Sequence, residues 1–402
     1  MAGEQPVAPT AVTPLGVGVI GAGWMGQVHA RSAARLRHHY PDLPVAPSVV
    51  AVADTLADHV AAFRAQHGPV RSYPDWRDLV ADPAVGLVCV TAPNAFHAEM
   101  GTAVAQAGKH LWIEKPVGLR AADAAAIRDA VNAAGVHATV GFNYRNLPMV
   151  ERARELIRQG AIGTPTHAYV RTLADYAAHP AGTLSWRYTI SQGGHGILAD
   201  LGSHGFDMIR TLLGDIDSLV ADTATFISRR PHATAGASHF AMADLSDPTL
   251  RYGSVENEDY VSCLLRMTQG ARVMYEAGRT SVGDQCNYGF TVHGSTGYVA
   301  WDFRRSDELA LCSGDDYQGQ ATQVILGAPG DGEYARFQPG AGIAMSYDDT
   351  KVIELARLLA AVTGGPMLGA TLDDAMRAAE ANEAVLASVA TGGWVQPGLT
   401  RD

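Results

Sequence analysis

The 402-residue sequence contains few cysteines, no long apolar run and no excess of positive charge. Its four cysteines are scattered, with no CxxC pair and no histidine at metal-ligand spacing, so they are expected to be free buried thiols and no metal site is predicted. No apolar run approaches the roughly 18 residues that a membrane span needs. A net charge of -11 disfavours nucleic acid as a partner. With no signal-peptide pattern at residues 1–14, a cytoplasmic protein without a membrane partner is expected.

Length and composition predict two folded domains. A chain of 402 residues exceeds the size at which one hydrophobic core stops growing, and 47% hydrophobic residues suffice for two cores. Residues 1–14, rich in Ala, Pro and Thr, are predicted to be a disordered tail. The pattern changes after about residue 147, which predicts a first domain of residues 15–146 and a second of residues 147–402. In this prediction the last helices of the second domain can pack back on the first domain.

A short apolar strand, Val17 to Ile20, leads into a glycine-rich turn and then into helix-compatible residues up to Leu36. The GxGxxG spacing in this strand–turn–helix context indicates a dinucleotide site. The first glycine permits the tight turn, the second lets the backbone approach a pyrophosphate, and the third lets the helix pack close to the strand. A glycine-rich turn without a ligand is the alternative. The predicted cofactor-binding residues here are Gly21, Gly23, Trp24, Met25 and Gly26.

The second predicted strand, Val49 to Ala53, ends in Asp54. A carboxylate at this place accepts hydrogen bonds from the adenosine ribose and repels a 2′-phosphate, so NAD is favoured over NADP. Asp54 lies farther from the glycines than is usual for this motif, and an insertion at Arg37 to Ser48 with three prolines explains the distance. The alternative is that Asp54 is only a turn residue.

Helices and apolar strands continue to alternate up to Phe142, which predicts a doubly wound parallel Rossmann sheet. Ligands bind outside the carboxyl ends of the strands of such sheets. Four groups of polar or turn residues follow predicted strands and are therefore expected at this edge: Asp54; Thr91, Pro93 and Asn94 with His97; Glu114 and Lys115; and Asn143, Tyr144 and Arg145.

The second half is predicted to be a mostly antiparallel sheet with helices on one face. Six β-rich runs are expected to be strands, and Arg229 to Asn257 is expected to be a long surface loop. The predicted strands are Thr166–Leu173, Asp217–Phe226, Asp259–Met267, Ala271–Thr280, Tyr288–His293 and Gly297–Phe303, and the predicted helices are Met149–Gln159, Thr350–Val362 and Leu372–Ala390.

A helix predicted from Leu198 carries Asp200 and His204 on one face, because residues four apart stack in a helix. The carboxylate is then expected to accept a hydrogen bond from the imidazole, which fixes its tautomer and leaves the other nitrogen as a base. The alternative is a capping aspartate beside a packed core histidine.

The ordered set of GxGxxG, Thr91 to Asn94 with His97, Glu114-Lys115-Pro116, and Asp200 with His204 resembles the Gfo/Idh/MocA oxidoreductase family. Its layout is most similar to levoglucosan dehydrogenase-like and inositol dehydrogenase-like members. The resemblance implies that Lys115, Asp200 and His204 are catalytic and that NAD is the cofactor. It adds Trp186 and Arg187 to the cofactor-binding candidates. Candidate substrate-binding residues are Lys115, Asn143, Tyr144, Arg145, Asp175, Tyr176, Asp200, His204 and Arg279.

The resemblance implies oxidation of a secondary hydroxyl, at C3, of a pyranose, glycoside or cyclitol, by a homodimer or homotetramer. His204, held by Asp200, is the expected base, and Lys115 is expected to stabilise the alkoxide or to share the proton. His195 departs from the family pattern, since it interrupts a glycine run, and it is expected to face solvent or to touch a ligand. Two alternatives stay open: a glycosidase that uses transient C3 oxidation, and a non-catalytic NAD or sugar sensor.

Overall fold

The computed structural model describes residues 12–233 and 241–398. Its first domain is a parallel sheet of six strands in the order β3-β2-β1-β4-β5-β6, with helices on both sides. The inner strands β4 and β5 are buried almost throughout, as their uninterrupted apolar sequences require. The strands are β1 Thr13–Ile20, β2 Val45–Ala53, β3 Arg71–Tyr73, β4 Leu87–Val90, β5 His110–Ile113 and β6 Ala138–Val140, and the helices are α1 Trp24–His39, α2 Ala57–His67, α3 Trp76–Ala81, α4 His97–Gln106 and α5 Ala121–Ala134.

This sheet is the predicted Rossmann sheet, with two differences at its start. Strand β1 begins at Thr13, inside the segment that was predicted to be a tail, and pairs from its first residue with Val45 of β2. Residues 1–11 of that predicted tail lie outside the described residues. Most of the insertion at Arg37 to Ser48 is regular structure, because α1 extends to His39 and β2 already begins at Val45, before the predicted strand start at Val49.

The second domain is built on a mixed sheet of eight strands in the order β16-β15-β14-β13-β7-β12-β11-β8. Only β7 and β12 pair in parallel, and the other neighbours are antiparallel. The elements are α6 Pro148–Arg158, β7 Pro165–Leu173, α7 Ile190–Gly193, a π-helical turn at Leu198–Gly202, α8 Ser203–Leu213, β8 Ile216–Ala224, β9 Arg229–Pro231, β10 Tyr252–Ser254, β11 Tyr260–Met267, β12 Arg272–Gly278, β13 Asn287–Gly294, β14 Gly297–Asp302, β15 Glu308–Ser313, β16 Gln323–Leu326, α9 Tyr347–Val362 and α10 Leu372–Thr391.

The predicted mostly antiparallel domain is confirmed, although strands β15 and β16 were not predicted. The expected long loop from Arg229 is also partly regular, because β9 and β10 pair as a small antiparallel ribbon. Residues 234–240 of that loop lie outside the described residues. Among the residues described, no helix is both long and apolar enough to cross a bilayer.

The two closing helices connect the domains. Helix α9 places Val352, Leu355 and Leu359 in one buried cluster with Val17 and Val19 of β1, so it is part of the Rossmann core. Helix α10 packs between α5 and the second sheet near β8. Helix α9 begins at Tyr347, three residues before the predicted start, because Ser346 and Asp349 form a reciprocal capping box at its N-terminus.

Candidate active site

The glycine turn at the end of β1 has the geometry of a phosphate-binding loop. Gly21 has φ of +92°, where a side chain is strained, and Gly26 lies so close to the strand that a Cβ there would be 2.0 Å from the carbonyl oxygen of Gly21. A Cβ on Gly23 would meet no protein atom within 4 Å, so the open space is on the outer side of the turn. Helix α1 begins at this place with no side-chain cap and no acidic residue in its first turn. The residues therefore fit a dinucleotide pyrophosphate.

Asp54 lies beside this turn. Its Oδ2 accepts a hydrogen bond from the backbone N–H of Ala22 at 2.8 Å, and its Oδ1 accepts one from Leu56 at 2.9 Å. Thr91 ties the next strand end to the same turn, because its hydroxyl donates to the carbonyl oxygens of Ile20 and Gly21 at 2.9 and 2.7 Å. The Asp54 carboxylate, predicted to bind the ribose, and the glycine turn, predicted to bind the phosphates, are thus connected by hydrogen bonds at one edge of the sheet.

Lys115 follows β5 and is fixed by Asp200 from the second domain. Its Nζ donates to the backbone carbonyl of Asp200 at 2.7 Å and to Oδ1 of the same residue at 3.0 Å. Tyr176 donates its hydroxyl to Oδ2 at 2.6 Å, and an Arg187 nitrogen lies 3.7 Å from Oδ1. The sequence candidates Lys115, Asp200, Tyr176 and Arg187 therefore meet in one place.

The charge state of Asp200 follows from these contacts. Burial by itself raises the pKa of this carboxyl, but the positive charges of Lys115 and Arg187 and the Tyr176 hydrogen bond together hold the pKa well below its ordinary value. Asp200 is therefore an ionised acceptor, and it keeps the Lys115 ammonium in place.

The predicted hydrogen bond between Asp200 and His204 is wrong. Residues Leu198–Gly202 form a π-helical turn, in which each N–H bonds to a carbonyl five residues back, so the spacing of four no longer stacks the two side chains. The carboxylate turns to Lys115 and Tyr176, and the imidazole nitrogens make no hydrogen bond with any other described residue.

His204 instead lies in an aromatic pocket within electrostatic range of Lys115 and Asp200. Its ring contacts Tyr144 at 4.8 Å, Phe142 at 5.8 Å and Tyr288 at 6.4 Å between centroids. Burial, followed by the charges of Lys115 and Lys351, lowers the pKa of His204 well below its ordinary value. The imidazole is therefore neutral at physiological pH and can accept a proton.

Three cofactor-binding candidates lie behind this surface. The carboxylate of Glu114 points into the interior, where it bonds to His29 and Lys351 at 2.9 and 2.6 Å. His97 is buried, and its ring nitrogens lie 2.8 and 2.7 Å from the carbonyl oxygens of Pro116 and Ala92. Asn94, directly after Pro93, donates to the carbonyl oxygen of Gly193 at 2.8 Å. These side chains bond to protein and hold the Lys115 loop and the glycine run in place.

Three substrate-binding candidates are likewise bonded inside the protein. Arg145 forms ion pairs with Asp207 and Asp374, and Arg279 is buried in an ion pair with Asp259 at 2.7 Å. Asn143 is buried and donates to the hydroxyl of Thr350 at 2.8 Å. A fourth candidate, Asp175, accepts from Gln285 at the surface. The structure therefore does not bring these four side chains to the Lys115–Asp200 pair.

The remaining candidates lie at the rim. The guanidinium of Arg187 stacks over the Trp186 ring at 4.6 Å. Half-buried His195 lines a small cavity beside Pro116 and Leu119, about 30 Å³ in volume. Trp24, 56% exposed, stacks on Tyr347 at 5.7 Å, and the Tyr347 hydroxyl lies 3.9 Å from the sulfur of Met25.

Sequence reasoning missed Tyr347, Tyr288 and Lys351. Tyr347 reaches the glycine turn from the start of α9, and Tyr288 contacts Tyr144 from β13 at 4.6 Å. The capping pattern Ser346-x-x-Asp349 was the signal available for Tyr347, since it marks the start of the helix. Nothing in their local sequence distinguishes Tyr288 or Lys351 from ordinary core residues.

Comparisons with known proteins agree with this geometry. Residues 15–142 match the model of an oxidoreductase family with an NAD-binding Rossmann fold, and residues 150–300 match the GFO/IDH/MocA C-terminal domain. Levoglucosan dehydrogenase from Pseudarthrobacter phenanthrenivorans is 30% identical over 382 residues, which cover 95% of this chain and 97% of that protein. The chain belongs to the Gfo/Idh/MocA oxidoreductase family.

This Gfo/Idh/MocA oxidoreductase is an NAD-binding enzyme of a family that contains sugar and cyclitol dehydrogenases. Inositol 2-dehydrogenase of Rhizobium meliloti is 28% identical over 75% of this chain and 79% of its own length. The structure of a levoglucosan dehydrogenase in complex with NADH and levoglucosan superposes with a TM-score of 0.88 at 29% identity, covering 96% of this chain and all of the other. The sequence-based family, fold class, cofactor and enzyme class are thereby confirmed.

Proposed function

We propose that the protein oxidises a secondary hydroxyl, at C3, of a pyranose, glycoside or cyclitol, or catalyses the reverse reduction. The observation that carries the proposal is a cationic donor and a neutral acceptor within electrostatic range of each other. Lys115 uses two of its three N–H groups on Asp200, and His204 has an unprotonated ring in an aromatic pocket that the charge of Lys115 reaches. An alcohol oxidation needs both groups.

In this proposal the substrate hydroxyl lies between the two side chains. The remaining N–H of Lys115 has no partner among the described residues, and it would donate to the substrate oxygen and stabilise its developing negative charge. His204 would take the hydroxyl proton as the carbon–hydrogen bond breaks. Asp200 stays ionised and orients the ammonium, and Tyr176 orients Asp200 from the other side.

Bound NAD supplies the hydride acceptor for this reaction. The chain's own contribution is position: the glycine turn and the first turn of α1 would hold the pyrophosphate, and Asp54 would hold the adenosine ribose. Trp24 and Tyr347 form a wall beside the same turn. This wall would exclude water from the cofactor's reactive end.

A sugar-like substrate suits the surfaces around Lys115. Tyr144 and Tyr176 offer hydroxyls, and the rings of Tyr144, Phe303 and Tyr288 form an aromatic surface on which the apolar C–H face of a pyranose or cyclitol can pack. Levoglucosan and inositol, named for the relatives, are substrates of this chemical class. The choice of C3 rests on the similarity to the levoglucosan dehydrogenase-like members.

The test is a panel of pyranoses, glycosides, anhydrosugars and cyclitols incubated with enzyme and NAD. Growth of the absorbance of reduced nicotinamide supports a net dehydrogenase. C3-deoxy and C2-deoxy analogues of the best substrate locate the hydroxyl, since only removal of the oxidised one abolishes turnover. Sugar release without absorbance growth would instead identify the glycosidase alternative, and binding without either reaction would identify a sensor.

We further propose that two copies pair through the open face of the second sheet. Leu264 of β11 and Met274 of β12 are directly opposite each other and are 52% and 53% exposed in the single chain. Paired exposed apolar side chains on two adjacent non-edge strands are typical of an interface. The double variant L264K/M274K should shift light-scattering mass to that of a monomer, whereas L368K, at an exposed apolar residue away from this sheet, should not. An unchanged mass in the double variant would refute this face as the interface.

A further inference from the structure

The open face of the second sheet has an apolar row across its middle. Residues directly opposite each other on paired strands point to the same side of a sheet. Four such neighbours form the apolar row: Val220 of β8, Leu264 of β11, Met274 of β12 and Tyr169 of β7. Leu264 and Met274 are more than half exposed, whereas the residues that alternate with them on β11 and β12 are buried. The row therefore points away from the core.

A basic row lies on one side of the apolar row, two residues farther along each strand. It consists of Arg266 of β11, Arg272 of β12, His167 of β7 and His293 of β13, which the strand pairing aligns. Both arginines are exposed, and neither forms an ion pair with another described residue. Arg272 donates to two carbonyl oxygens of the preceding turn, and Arg266 stacks over the ring of Trp394 at 4.0 Å.

An acidic row lies on the other side of the apolar row at the same spacing. Asp222 of β8 and Glu276 of β12 point to the open face there. Glu276 accepts hydrogen bonds from two tyrosine hydroxyls, and no cationic side chain among the described residues forms an ion pair with either carboxylate. Arg171 lies in this row too, but Asp302 of the same row neutralises it at 2.9 Å. The two rows therefore carry unpaired charges of opposite sign.

This pattern distinguishes the two ways in which identical sheets can pack face to face with aligned strands. A two-fold axis parallel to the strands places each row against the same row of the partner, so that arginines face arginines. An axis across the strands, along the apolar row, reverses the strand direction. The apolar row then faces itself, and the basic row of each copy faces the acidic row of the other. Because like charges opposite each other are unfavourable, the pattern favours the second arrangement.

We propose that two copies of this chain pair about a two-fold axis across the strands, so that Arg272 of each copy contacts the partner's Glu276 on either side of an apolar centre. Arg272 and Glu276 are each two residues from Met274, so a reversal that places Met274 on itself brings them together. An apolar centre with a charged rim is the usual anatomy of an interface. The inference rests on the open-face pairing proposed above, and it adds the orientation and the charges that select the partner.

The test uses the exchange of charges between chains. In one chain Arg272 and Glu276 are four residues apart on a strand, about 13 Å, so they can meet only across the interface. R272E and E276R each place like charges opposite each other twice, so the dissociation constant of each dimer, measured by sedimentation, should rise by about a hundredfold or more. A mixture of the two variants restores both opposite-charge contacts, so mixed dimers should form with nearly wild-type affinity.

Mixed dimers are detected by an affinity tag on one of the two variants. The matched control is R64E, which reverses the charge of an exposed arginine on α2 of the first domain and should dimerise like the wild type. If R272E and E276R do not form mixed dimers, the proposed orientation is overturned.

A second pair of variants keeps the test decisive if E276R does not fold without its tyrosine contacts. Arg266 and the partner's Asp222 lie on adjacent strands in the same arrangement, and Asp222 is exposed, with its carboxylate on the neighbouring N–H of Thr223 at 2.9 Å. R266E and D222K should each weaken the dimer and together form mixed dimers. Their failure to do so overturns the proposal independently of Glu276.

The variant L264K/M274K separates the orientation from the face on which it rests. If this variant is a monomer but no mixture of charge variants forms dimers, the face is correct and the orientation is wrong. If it and all the charge variants keep the mass of a dimer, the face itself is wrong. Oxidation of the sugar panel with NAD is measured separately, and it decides the catalytic proposal whatever the dimer does.

Discussion

The glycine turn offers a sharp test of cofactor binding, because a methyl group at Gly23 should affect the ligand and not the protein. The added Cβ meets no protein atom within 4 Å, and the backbone at φ −67° accepts alanine. As a helix N-cap, alanine is less favourable than glycine, so G23A should lower the free energy of unfolding by less than about 1 kcal/mol. The methyl group lies where the pyrophosphate must approach.

The loss of NAD affinity can be measured through the stability that bound NAD adds to the folded protein. A ligand at 100 times its dissociation constant stabilises a protein by about 2.7 kcal/mol, and a hundredfold weaker affinity reduces this to about 0.4 kcal/mol. Urea unfolding with and without NAD should show this loss in G23A. The matched variant is G26A, whose Cβ would lie 2.0 Å from the Gly21 carbonyl oxygen and should destabilise the protein by about 1–3 kcal/mol even without NAD. Wild-type NAD stabilisation in G23A would refute the assignment of the turn.

Three further substitutions test the site. H204N should lower kcat by about 10²–10⁴ with little change in NAD affinity, as measured by steady-state kinetics and fluorescence titration. D200N should lower kcat and also remove the acid sensitivity of the Asp200 ion pair. Since the folded pKa of Asp200 lies below its unfolded value, the stabilisation by the ion pair is present above about pH 4 and is lost as the pH falls. Urea unfolding of wild type and D200N above and below that pH measures this difference. R279M should lower the free energy of unfolding by about 3–5 kcal/mol, since it leaves Asp259 buried and unpaired, while the KM of the folded fraction stays unchanged.

The edge of the Rossmann sheet could be predicted from sequence because its determinants are local. The strand before Gly21, the strand before Asp54 and the strand before Lys115 are each recognisable as short apolar runs, and the fold rule brings their carboxyl ends together. Strands β15 and β16 were missed because they lie at the edge of the second sheet, where several residues are half-exposed and the alternation is weak.

The π-helical turn before α8 could not be predicted from residue spacing. Leu198 to Leu213 has helix-compatible composition, and a continuous α-helix would put Asp200 and His204 on one face. The extra residue in one turn changes that angle, and it is stabilised by contacts from elsewhere: the Leu198 N–H donates to Glu258 at 3.0 Å, and Lys115 bonds to the Asp200 carbonyl. Such turns are frequent at functional sites, so a mispredicted helix face here is itself informative.

Four substrate candidates lie away from the Lys115–Asp200 pair for a related reason. An arginine at a strand end can bind a sugar hydroxyl or a buried carboxylate equally well. Which of the two it binds depends on residues far along the chain. Arg145 finds Asp207 and Asp374, 62 and 229 residues away. Because an unpaired buried carboxylate is so unfavourable, these aspartates bind the guanidinium permanently and remove it from the site. Lys115 is held by one residue, Asp200, which accepts two of its three N–H groups, whereas Arg145 is held between two carboxylates. The position of its carboxylate partners, and not residue type, therefore decides which strand-end cation can take part in the chemistry.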